Sequence, residues 1–84
     1  MYELQYKKKA IKALVKINDP YYTAIIEAID ALAENPRPHG YKKLTGRNGY
    51  RIRVGTYRIL YDIFDNTLIV EIVNVGSRGG IYED

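Results

Sequence analysis

The sequence predicts an α+β fold in the order β-α-α-β-β-β, a mostly antiparallel sheet with a helical hairpin packed on one face. Three observations predict it. Apolar residues recur at helical spacing in two stretches, residues 7–17 and about 20–35, separated only by Asn18-Asp19-Pro20. From Tyr50 onward the repeat changes to alternation, the period of a half-buried strand. Gly55-Thr56 and Asp65-Asn66 punctuate that alternation as tight turns, leaving three strands joined as hairpins.

Each element has its own signal. Residues 2–6 alternate, with Tyr2, Leu4 and Tyr6 on one side and Glu3 and Gln5 on the other, as in a short strand. In the first helix Ala10, Leu14 and Ile17 share a face, flanked by Ile11 and Val15. Asp19 suits the N-cap of the second helix and Pro20 its first position. Tyr22, Ile25, Ile26, Ile29, Leu32 and Ala33 form the buried stripe of that helix, Glu27, Asp30 and Glu34 face water, and Pro36 and Pro38 end it. A loop over residues 37–49 contains three glycines. Strands are expected at about 50–54, 57–64 and 67–75. Tyr50, Ile52, Val54, Tyr57, Ile59, Tyr61, Ile63, Leu68, Val70 and Ile72 belong on the face toward the helices. Arg51, Arg53, Arg58, Leu60, Asp62, Ile69, Glu71 and Val73 belong on the opposite, partly exposed face.

At 84 residues the chain reads as one domain, 1–84. It has no cysteine, so disulfides and thiolate metal sites are excluded, and its carboxylates show no metal-ligand spacing. No apolar run approaches the roughly 18–20 residues of a membrane span, and no apolar segment follows the basic run at Lys7. The expectation is a soluble cytoplasmic protein without a cofactor. The net charge of +3 is modest but segregated: residues 37–58 carry seven Lys or Arg and no acid. Lys7, Lys8, Lys9, Lys12 and Lys16 crowd the first helix. Such segregation suits an anionic partner. A solubilising surface is the plain alternative for the lysines.

The arginines are the sharpest feature. A two-residue turn at Gly55-Thr56 sets Arg53 opposite Arg58 and puts Arg51, Arg53 and Arg58 on one face. Like charges directly opposite destabilise a sheet, so a cluster of this kind points to a polyanion. A cross-strand pair of Arg58 with Glu71 is the structural alternative. Lys42, Lys43 and Arg47, in the preceding loop, are further candidate contacts to such a polyanion.

Lys43-Leu44-Thr45-Gly46, the stretch from Tyr50 to Tyr61, and Val75-Gly76-Ser77-Arg78 leading to Ile81-Tyr82 resemble the RelE/ParE superfamily of toxins from type II toxin–antitoxin systems, over essentially the whole chain. The last block is closer to the RelE branch. RelE-type members cut mRNA in the ribosomal A site. The resemblance therefore implies a RelE-like fold, a ribosome-dependent endoribonuclease acting without metal, and a RelB-like antitoxin partner that binds through an acidic amphipathic segment. By position it implies functional roles for Arg51, Arg53, Arg58, Arg78 and Tyr82. Arg51 and Arg53 stand where the best-studied members have lysines, and Ser77 stands where many relatives place a histidine or lysine.

The chemistry of the residue types divides the work. Arginine binds two phosphate oxygens at once and stays charged, but its pKa is too high for proton transfer near neutrality. Tyr82 is then the candidate for proton transfer, as base, with Arg58 and Arg78 stabilising the phosphorane and Arg51 and Arg53 positioning the RNA backbone. Packing on the sheet is the alternative for Tyr82. The helix-1 lysines are candidate contacts to ribosomal RNA. His39 reads as a loop residue. Three functions stay open: an endoribonuclease, a ParE-like inhibitor of DNA gyrase, and a folded but inactive antitoxin-bound toxin.

Overall fold

The computed structural model describes residues 1–77. Seven elements follow in order: β1 (Glu3–Tyr6), α1 (Lys8–Leu14), α2 (Tyr21–Glu34), β2 (Lys42–Lys43), β3 (Tyr50–Val54), β4 (Tyr57–Phe64) and β5 (Ile69–Ser77). The strands form one sheet in the order β1-β5-β4-β3-β2. β1 runs parallel to β5, with Leu4 beside Val70, and every other neighbour is antiparallel. The predicted α+β architecture is therefore present, with one strand more than expected. Among the described residues no helix is long and apolar enough to cross a membrane.

Both helices cover one face of the sheet. Ala10 and Leu14 of α1 and Ile25, Ile29 and Leu32 of α2 pack on Ile52, Ile59, Tyr61, Val70, Ile72 and Val75. The helical spacing of α2 puts Ile25, Ile29 and Leu32 on one stripe, and burying such side chains contributes about 1.5–3 kcal/mol each. α1 is shorter than the expected 7–17. It ends at Leu14, and Val15 turns out into solvent. α2 begins at Tyr21, one residue after the proline expected to open it. Asp19 still does the capping: its Oδ1 accepts the Thr23 N–H at 2.9 Å and the Thr23 hydroxyl. Tyr22, assigned to the buried stripe, is 40% exposed because it lies at the margin of the helix pair.

The strand predictions need four corrections. β2 lies inside the segment read as loop. Two lysines carry no periodicity, and their strand exists only through pairing with Arg51 and Tyr50. The β4–β5 connection is longer than Asp65-Asn66, so β5 starts at Ile69. Leu68 sits in the turn at φ +55° and is half exposed, not in the core. A bulge then shifts the register, with Tyr61 opposite Ile72 but Leu60 opposite Asn74. Val73 is the extra residue, and Val75 returns to the helix-covered face, where strict alternation would have turned it away. Lastly, Arg58 is opposite Gly76, and Glu71 is opposite Asp62. The Arg58–Glu71 cross-strand alternative is therefore not formed.

Candidate functional site

The register of the β3–β4 hairpin sorts the basic residues. Gly55 takes φ +60° in the turn, and Arg53 lies opposite Arg58 as the two-residue turn requires. Residues opposite one another share a face, so the sheet surface away from the helices carries rows. Arg53, Arg58 and Gly76 form the row nearest the turn. Lys42, Arg51, Leu60 and Asn74 form the next, and Asp62, Glu71 and Gln5 a third. Rows two residues apart are roughly 7 Å apart along a strand. The open face thus grades from cationic at the hairpin tip to acidic about 13 Å away.

The positions within this gradient differ in kind. Arg53 is exposed and Arg58 half buried. Together with Gly55, Thr56 and Tyr57 they line a pocket of about 100 Å³. Arg51 is only 7% exposed, the one buried charged residue among those described. Its cross-strand neighbour Leu60 belongs to a second, smaller apolar layer. The segment 44–49 folds back on itself, with the Leu44 N–H donating to the Gly49 carbonyl at 3.0 Å, and buries Leu44. Leu44, Leu60 and Val73 border the same narrow cleft as Arg47 and Asn48. Gly49, at φ +116°, closes this segment. A Cβ there would stand 3.1 Å from Asp62 Oδ1 and 3.2 Å from Leu44 Cδ1.

The structure brings Lys42 into the row of Arg51 and carries Arg47 over the open face. Lys43 falls one residue out of phase, in the row of Tyr50 and Tyr61, away from the arginine pocket. Lys7, Lys8, Lys9, Lys12 and Lys16 are exposed and belong to the helical layer, across the sheet from the arginines. Beside them α1 and α2 leave an open apolar groove of about 560 Å³, lined by Tyr6, Ile11, Leu14, Val15, Ile17, Tyr22 and Ile26. His39 is an exposed loop residue. Arg78 and Tyr82 lie outside the described residues.

Sequence reading missed how Arg37 is used. Its guanidinium pairs with Asp65 through Nη2–Oδ2 at 2.9 Å and Nη1–Oδ1 at 3.3 Å, and the Tyr2 hydroxyl donates to the same Oδ1. The Arg37 Cζ also stands 5.9 Å from the centroid of the Tyr50 ring. Hydrogen bonds from Arg37 and then Tyr2 hold the Asp65 carboxyl below the usual carboxylate range. The same carboxylate raises the pKa of Arg37 and of Tyr2. Arg37 is thus a structural clasp rather than part of an open cationic surface. No local signal links residues 28 positions apart. Tyr61, fully buried, donates its hydroxyl to the Pro36 carbonyl at 2.7 Å. Burial, above all, pushes its phenol well above the ordinary range, so Tyr61 holds its proton and is no candidate base.

This architecture is that of a known class. Residues 4–82 match the family described as "ParE toxin of type II toxin-antitoxin system, parDE". The chain belongs to that family, a toxin family of the RelE/ParE superfamily. Its fold is similar to that of RelE in the archaeal RelE–RelB complex from Pyrococcus horikoshii OT3, at TM-score 0.82 and 28% identity, over 94% of this chain and 97% of that one. The toxin–antitoxin complex RelBE2 from Mycobacterium tuberculosis gives 0.78 and 29%, over 92% and 98%. The intact E. coli RelBE complex gives 0.80 and 25%, over 92% and 96%. No curated protein matches the chain.

Proposed function

We propose that this toxin cleaves mRNA in the ribosomal A site without a metal ion. The observation that carries the reading is the Arg53–Arg58 row. Two guanidinium-bearing residues lie opposite each other on the sheet face that the helices leave open, and together they line a phosphate-sized pocket. Among the described residues, the acidic row of this face is about 13 Å away. Two arginines set side by side favour an anion. In this proposal Arg58 and Arg78 stabilise the phosphorane and Arg53 holds the backbone of the strand. Tyr82 takes the 2′-hydroxyl proton. Arg51, buried in the next row of the same face, contributes positive potential rather than a direct contact, and Lys42 and Arg47 extend the track.

The partner is an antitoxin. The relatives above were solved as RelE–RelB or RelBE complexes. On this chain the apolar groove between α1 and α2, edged by α1 lysines, suits an acidic amphipathic helix. The same lysines are the proposed contacts to ribosomal RNA, so antitoxin and ribosome would compete for α1.

The test is primer extension on mRNA in programmed ribosomes, with Arg78→Ala and Tyr82→Phe as controls. New 3′ ends at the A-site codon that both substitutions reduce sharply support the assignment. Full activity in both variants sinks it. The ParE family match favours a second reading, inhibition of DNA gyrase. Loss of supercoiling activity with no mRNA cleavage would select that reading.

A further inference from the structure

We propose that Tyr21 is a nucleobase platform: an unpaired base of the bound RNA stacks on its ring while the adjoining phosphate occupies the Arg53–Arg58 pocket. This rests on the RNA-binding reading above but concerns a residue far from the hairpin in sequence. Tyr21 opens α2. Its ring lies against that of Tyr57, with centroids 5.6 Å apart and planes inclined by 51°. Its Cε1 comes within 4.0 Å of where a Cβ on Gly55 would be. Tyr57 and Gly55 are themselves walls of the arginine pocket. The tyrosine therefore stands at the hairpin tip, where the chain reverses and the two faces of the sheet meet.

Packing on Tyr57 uses only part of the ring. Tyr21 remains 50% exposed, whereas Tyr57 beneath it is half buried. The other exposed aromatics among the described residues serve elsewhere. Tyr22 lines the groove between the helices, Tyr41 lies against Tyr50, and Phe64 borders Asp65. Tyr21 alone of these lies beside Tyr57 and Gly55, two walls of the arginine pocket. A cationic pocket for the backbone beside an aromatic face for the base is how proteins hold single-stranded RNA, because every base has a π-face and every nucleotide a phosphate. Gly55 supplies the left-handed turn, at φ +60°, that sets the hairpin tip beside the ring.

The test separates base from backbone. Fluorescence anisotropy measures binding of the full chain to a labelled single-stranded hexaribonucleotide and to the same ribose-phosphate chain without bases. Wild type should favour the base-bearing strand by about tenfold, the scale of one stacked base. Tyr21→Leu keeps an apolar cover on Tyr57 but removes the π-face. It should lose that preference while binding the abasic strand as wild type does, with an unchanged Tm. Tyr21→Phe should retain the preference, and Arg53→Gln should weaken both strands alike. An undiminished preference in Tyr21→Leu overturns the platform and leaves the nuclease proposal standing. Equal weakening on both strands also overturns it, since a structural role would act that way. Failure of wild type to bind either strand, or cleave mRNA on ribosomes, removes the RNA reading and the platform together.

Discussion

Replacing Arg53 with glutamine should make the free toxin more stable and a poorer RNA binder. Arg53 and Arg58 are direct cross-strand partners on the open face. An opposed like-charge pair disfavours a sheet by roughly 0.2–1 kcal/mol, and exposure of Arg53 places the value in the lower half of that range. For a domain of this size 1 kcal/mol moves Tm by about 4–8 °C, so the gain should be about 1–4 °C at low ionic strength. Glutamine keeps most of the stem of arginine, so the apolar contacts of the stem change little. The charge origin has a signature. The Debye length falls from about 10 Å at 0.1 M salt to 3 Å at 1 M, and the stability difference should fall with it. Thermal melting of both proteins across that series measures it, and anisotropy with a short RNA records the lost affinity. A variant that melts at or below wild type at low salt would refute the argument that the fold tolerates this pair for its ligand.

Tyr61→Phe should lower stability by about 1–3 kcal/mol, because it leaves the buried Pro36 carbonyl without its donor while changing the ring volume little. Denaturant melts would show the shift in midpoint at constant m-value. Asp65→Asn should destabilise the protein at neutral pH, with the deficit closing in acid. The folded pKa of Asp65 is depressed, so its contribution is complete above the unfolded value near 3.9 and is lost as pH falls through the lower folded value. Melting curves from pH 7 to 3 would show it, and a constant gap would remove the clasp from the explanation. Lys12→Gln with Lys16→Gln should weaken ribosome binding and flatten its salt dependence, leaving RNA binding at the arginine pocket unaltered; sedimentation with ribosomes at graded salt is the measurement.

The hairpin was readable because a two-residue turn admits one register, and that register alone places Arg53 against Arg58. The helices were readable from their 3.6-residue stripes, though not their ends, where Val15 and Tyr22 follow the local packing. What escaped depends on distant partners. β2 is a strand only because β3 lies next to it. The bulge at Val73 inserts one residue that no alternation rule anticipates, and it decides that Val75, not Asn74, enters the core. Arg51 looks equivalent to Arg53 in a period-two pattern, yet it is buried opposite the buried Leu60. The Arg37–Asp65 clasp joins side chains 28 positions apart, beyond the reach of any local pattern. Tyr21 was assigned no role by helical periodicity, since the hairpin it touches lies more than thirty positions further along the chain.

The parallel seating of β1 beside β5 has a consequence for the toxin's own synthesis. The first strand of the chain finds its place only against residues 69–72, and Tyr2 meets Asp65 across 63 positions. At about 5–20 residues per second, the N-terminal strand waits on the order of several seconds for its neighbour to be made. Closing so long a loop also slows folding relative to a chain of local contacts. The arginine hairpin of the nascent chain therefore emerges before the sheet that supports it is complete. The pairing of β1 with β5 therefore forms only after residues 69–72 have been made, later than the hairpin it follows in the sheet.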